Sequence, residues 1–110
     1  MATNAVDDGF LYTLVDLSDN GPTTVYAAPC LFRGAMVSTV MSAHDIVITD
    51  NSVNLIGMAA SSAVGTTVSG FDVRAETNLT VEPNASSTGI IAVVYKPFYD
   101  GGVGSGAGLP

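Results

Sequence analysis

From Phe71 to Glu82 polar and apolar residues alternate along the chain. Phe71, Val73, Ala75, Thr77, Leu79 and Val81 fall on one parity, and all but Thr77 are apolar. Asp72, Arg74, Glu76, Asn78, Thr80 and Glu82 fall on the other, and all are polar. Successive side chains of a strand point to opposite faces, so the pattern predicts one long strand with a dry face and a wet face. Such a strand belongs to an antiparallel sheet with one face in solvent.

Other segments carry the same signature. Phe10 to Leu17, Thr23 to Ala28 and Leu31 to Val40 are rich in β-branched, aromatic and aliphatic residues. Ser18-Asp19-Asn20-Gly21-Pro22 separates the first two as a turn, and Pro29 interrupts before the third. Gly34 marks a bulge or a close backbone approach within that third run. Asp45 to Thr49 and Val53 to Met58 flank Asp50-Asn51-Ser52 and predict a hairpin. Ala59 to Gly70 reads as a loop or an irregular edge strand. Ile90 to Tyr95 follows the turn at 83–89 and is nearly continuous in apolar residues, which predicts a central strand covered on both faces. Seven or eight short strands between turn signals give an all-β, antiparallel β-sandwich, with a jelly roll among its variants. The domain is expected over residues 10–97, between an N-terminal arm at 1–9 and a Gly-rich tail at 98–110, both flexible.

Composition narrows the role. A chain of 110 residues fits one domain, with about two-thirds of its surface buried on folding. The net charge of -7 leaves only Arg33, Arg74 and Lys96 to meet a phosphate backbone or an anionic membrane, so neither is an expected partner. Charged residues are 12% of the chain, about half the usual share, which points to surface hidden against other subunits. Cys30 is the one cysteine, so no internal disulfide is available. The longest apolar runs are far below the roughly 20 residues of a membrane-spanning helix. The opening MATNAVDDGF has neither the basic residues nor the hydrophobic block of a secretory signal, so synthesis in the cytoplasm is expected.

No constellation of catalytic groups stands out. His44 beside Asp45 suggests half of a catalytic pair or metal site, but neighbours on a strand diverge, and a nucleophile would have to come from Cys30, Ser42 or a distant carboxylate. Cys30 between Pro29 and Leu31 reads as a small buried hydrophobe. Asp72, Arg74 and Glu76 share the wet face, where Arg74 can bridge both carboxylates; a glycosidase pair is the functional alternative. Asp7-Asp8 and Asp16 with Asp19-Asn20 lack the spacing of a calcium loop. Met36, Met41 and Met58 fit core gap-filling or an adaptable contact surface. No cofactor or metal is expected.

One resemblance covers residues 36–97. Gly70-Phe71, Arg74-Ala75-Glu76-Thr77-Asn78-Leu79-Thr80-Val81, Pro83, and Ser87-Thr88-Gly89 leading into Ile90-Ile91-Ala92-Val93-Val94-Tyr95 resemble the strand-and-turn cadence of small virion proteins of tailed, especially marine, bacteriophages. Met41-Ser42-Ala43-His44 and Asp45 to Asp50 are similar to an earlier segment of the same proteins. The resemblance implies a non-enzymatic decoration or cement protein of the phage head, with the major capsid protein or another virion protein as partner. It implies homo-oligomers, trimers by analogy, located in the virion after synthesis in the host cytoplasm. The side chains expected at an interface are Asp72, Arg74, Glu76, Phe98, Tyr99 and Leu109. Rival readings are a head-fibre, tail or connector subunit, a carbohydrate- or surface-binding module, and a small hydrolase built on His44.

Overall fold

The computed structural model describes residues 3–5, 9–19 and 21–98, the first three as backbone. Among the described residues nine strands run in chain order: β1 (Thr3–Ala5), β2 (Leu11–Asp16), β3 (Thr23–Tyr26), β4 (Cys30–Thr39), β5 (Ile46–Asp50), β6 (Val53–Met58), β7 (Thr67–Ala75), β8 (Leu79–Glu82) and β9 (Ile90–Pro97). A 3-10 turn, Leu17–Asp19, follows β2. The protein is an all-β sandwich of a five-stranded sheet, β1-β2-β9-β4-β7, and a four-stranded sheet, β3-β8-β5-β6, every pairing antiparallel.

The pairings have a simple logic. β5 pairs with β6, β4 with β7, β3 with β8 and β2 with β9, from the middle of the chain outwards. Successive pairs lie in alternate sheets. A long hairpin wound in this way around a shared core is a jelly roll. Its centre is the tight β5–β6 turn, where Asn51 and Ser52 both take positive φ (48° and 70°), the twist a two-residue hairpin turn needs. The expected hairpin is therefore present.

Phe32, Val37, Ile46, Ile48, Leu79, Val81, Ile91 and Val93 project between the sheets and are almost wholly buried. Tyr95 lies among them, its hydroxyl 3.3 Å from Thr13 Oγ1 and its ring 5.5 Å from that of Tyr26.

The long strand predicted over Phe71–Glu82 is two strands in different sheets. β7 closes at Ala75, the chain turns a corner at 76–78, and β8 opens in the facing sheet at Leu79. Ala75, Leu79 and Val81 keep their dry parity across the corner because the inner faces of both sheets look onto one core. Phe71 does not: it is 84% exposed. Between the pairs Gly34↔Ser69 and Phe32↔Val73, β4 advances two residues and β7 four. The surplus forms a bulge that turns Phe71 outward. The bulge signalled by Gly34 is also present, and the two strands approach closely there. A Cβ on Gly34 would lie 2.3 Å from the Val68 carbonyl oxygen, and one on Gly70 would lie 2.5 Å from the Phe32 ring.

Two further expectations change. β9 is central, between β2 and β4, but only its inner face is sealed; on the outer face Val94 is half-buried. Residues 3–5 of the expected N-terminal arm pair with β2 as an edge strand. Residues 1, 2 and 6–8 of that arm, together with 99–110 of the tail, lie outside the described residues.

Candidate functional site

The two outer faces of the sandwich differ in kind. On the four-stranded sheet Thr24, Thr80 and Thr49 form one row across three strands. Thr24 and Thr80 hydroxyls lie 3.5 Å apart, Thr49 donates to Glu82 Oε2 at 2.9 Å, and Thr80 donates to Asn78 Oδ1 at 3.2 Å. The hydroxyls are satisfied within the sheet. The outer face of the five-stranded sheet holds few such groups. Its cross-strand rows are Tyr12–Val94 and Leu14–Ala92–Met36. These side chains, with Val64 from the loop before β7, line an open groove of about 590 Å³. Leu14, Met36 and Val64 are 37%, 46% and 65% exposed, a continuous apolar surface that water contacts.

At the other end of this face stand all three cations of the chain. The Arg33 guanidinium lies 3.5 Å from the centroid of Phe10, and Lys96 Nζ 5.6 Å from it, which is why Phe10 is buried although it precedes β2. Arg33 also donates from Nε and Nη2 to the two carboxylate oxygens of Asp72, at 3.2 and 3.4 Å. Arg74 stacks on Phe98, 4.2 Å from its centroid, and donates to Glu76 Oε1 at 3.0 Å. Arg74 therefore does not bridge Asp72 and Glu76 as the sequence suggested. The bulge re-aims Asp72 toward Arg33 on β4.

Beside this corner Phe71 projects from the bulge. Phe71 and Asp72 both have φ of 54°, a left-handed conformation that a bulky aromatic residue rarely takes. Ser69 Oγ accepts the Phe71 N–H at 3.1 Å and Arg33 holds Asp72, so both flanks of the bulge are anchored. Strained bulges that re-aim a side chain recur at functional positions.

The other candidates find structural partners. Ser42 Oγ lies 3.1 Å from His44 Nδ1 and accepts the Thr88 N–H at 2.9 Å, while the Ser42 carbonyl accepts the Ser61 N–H at 2.8 Å. Ser42 thus pins three loops together, and His44 rests against that pin. Cys30 is fully buried, and burial, with the Asp50 charge, pushes its thiol up to about 11. Asp16 accepts the Ser18 hydroxyl and N–H, which hold its carboxyl below the ordinary range and close the 3-10 turn. Met41 and Met58 are core residues, whereas Met36 belongs to the groove. Among the described residues no cluster of His, Cys, Asp or Glu could hold a metal ion.

Of the six expected interface residues, the structure brings Arg74, Glu76 and Phe98 together and sets Asp72 on Arg33 beside them. Tyr99 and Leu109 lie outside the described residues. Sequence reasoning missed Phe71, Phe10, Arg33 and the groove. The signal for the groove was available: β2 and β9 are apolar on both parities, so one apolar set had to face outward.

Comparison with protein-family models, curated proteins and solved structures finds no match to this chain.

Proposed function

We propose that this chain is a non-enzymatic virion structural protein, a decoration or cement subunit that binds the head of a tailed phage. It docks by the outer face of its five-stranded sheet, with the major capsid protein as its partner. The observation that carries the reading is Phe71, an aromatic side chain 84% exposed on a strained and anchored bulge. A phenyl ring held in water by backbone strain gains its return when a partner surface buries it, and aromatic anchors dominate binding energy at protein interfaces. The cation–aromatic corner beside it supplies arginines, which are enriched in the same setting. The net charge of -7 suits a protein whose remaining surface stays in solvent. The groove on this face has apolar walls and few hydrogen-bond donors, so the face fits a protein surface better than a sugar.

The test is co-sedimentation of the full chain with capsid shells of the phage that encodes it. Saturable binding is expected. Phe71→Ser and Arg74→Glu should each weaken it at least tenfold, and Thr24→Glu on the opposite face should not. Binding that is indifferent to Phe71 and Arg74 overturns the docking face. No binding to shells, with glycan binding lost in the same variants, replaces the virion reading with a surface-binding module.

A further inference from the structure

Phe71 and the cationic corner leave the groove over β2, β9 and β4 without an assigned occupant. Its floor is Ala92 and Val94, one wall Tyr12 and Leu14, the other Met36 and Val64. A narrow apolar trough of this kind suits an extended chain that carries side chains on one side only.

This sequence contains such a chain. From position 101 it reads Gly-Gly-Val-Gly-Ser-Gly-Ala-Gly-Leu. Glycine fills every even position from 102 to 108, and Val103, Ser105, Ala107 and Leu109 fill the odd ones. In an extended backbone those four side chains would share one face, and the other face would be bare main chain. Three of the four are apolar, as the groove requires, and Leu109 is the largest.

We propose that the groove binds residues 103–109 of a second copy of this chain, with Leu109 seated among Leu14, Met36 and Ala92. The direction in which the described chain ends selects a second copy. β9 runs from the groove toward the cationic corner, and Phe98, the last described residue, stacks there on Arg74 of the edge strand β7, so the described chain ends at the far end of the face from the groove. The chain from 98 to 109 extends at most about 36–40 Å. Neighbouring strands are about 4.8 Å apart, so that length is enough to span from the end of β9 past the sheet edge to an adjacent subunit. Entry into its own groove would require the chain to turn back along the face antiparallel to β9. Each subunit would then give one tail and accept one, a head-to-tail contact that closes into a ring when the rotation allows.

The test measures mass in solution by light scattering behind a sizing column, with full-length chains and no capsid. Its failure is therefore separate from failure of the virion reading, which Phe71, Arg74 and co-sedimentation report. The wild type should be a defined oligomer. Met36→Glu, which blocks the groove, and Leu109→Asp, which blocks the tail, should each be monomeric. An equimolar mixture of the two variants should recover a dimer, because one retains an intact tail and the other an intact groove. Circular dichroism checks that both remain folded, and Val64→Glu serves as the groove variant if Met36→Glu is unfolded. A monomeric wild type, an oligomer that survives either variant, or a mixture that stays monomeric would each overturn the proposal. A monomeric wild type in which a probe at position 109 is nonetheless protected would assign the groove to the chain's own tail instead.

Discussion

Asp50 Oδ2 accepts the backbone N–H of Glu76 at 2.8 Å, at the corner where the chain leaves one sheet for the other. Its Oδ1 accepts the N–H groups of Thr77 and Asn78 at 3.0 and 3.2 Å. Asn78 returns the contact by accepting the Asn51 N–H at 3.0 Å, so the β5–β6 turn and the sheet-switching corner cap each other. Asp50→Ala leaves those amides to water or to no partner. A loss of about 1–3 kcal/mol is expected, measured by urea unfolding, with Asp50→Asn retaining part of it.

The same carboxylate sets a pH dependence. Burial alone would raise the Asp50 pKa, but the three amides outweigh it and hold it below the ordinary carboxylate range. A group depressed in the folded state releases its proton more readily there than in the unfolded chain. Its contribution is therefore full above about pH 4 and is lost as pH falls through the folded value. The stability gap between wild type and Asp50→Asn should be constant near neutrality and shrink below pH 4. A gap that holds steady down to pH 2 would contradict the assignment.

Leu79 and Phe71 share a parity in the sequence and have opposite fates. Leu79 has no exposed surface, so Leu79→Asp puts an unpaired charge in the core and should unfold the domain. Phe71→Asp should leave the domain folded with a melting temperature no lower than that of wild type, since the side chain is exposed and Asp takes a left-handed φ more readily than Phe. A stable Leu79→Asp protein would break the strand assignment of β8.

These two residues mark what the sequence makes legible. Alternation reports which side of the chain is dry, and it reports this correctly for Ala75, Leu79 and Val81. It does not report which sheet a residue joins, because both sheets of a sandwich dry their inner faces on one core. The corner at 76–78 was hidden for that reason. Phe71 breaks the alternation because it stands inside the bulge at a left-handed φ, where the two-residue repeat of an extended strand does not hold, and only Gly70 signals it. Strand existence, the β5–β6 hairpin and the Gly34 irregularity follow from local chemistry and were readable. The jelly-roll pairing, the Arg33–Asp72 bond and the role of Asp50 join residues far apart in the chain, and periodicity carries no such information.

Gly70 faces the Phe32 ring and the Phe32 carbonyl oxygen, each 2.5 Å from where a Cβ would stand. Neither has room to withdraw, since Phe32 is fully buried and its backbone is paired on both sides. Gly70→Ala should cost about 1–3 kcal/mol by overpacking, read as a lower denaturation midpoint. It should also loosen the bulge, which slower proteolysis at 69–73 relative to wild type would disprove.

Cys30 gives a chemical readout of the same core. The folded protein holds its thiol at about 11 against an ordinary 9.0, chiefly because burial disfavours the thiolate. At pH 8 a disulfide reagent should fail to label the native protein and should label it fully in denaturant. The shift also bears on alkaline stability. A group raised in the folded state contributes fully below its unfolded value, and that contribution is lost as pH climbs from about 9 toward about 11. Cys30→Ala removes the ionisation, so its stability should fall less steeply than that of wild type across that window. Identical slopes for the two proteins would mean that the thiol is not held in the dry environment described here.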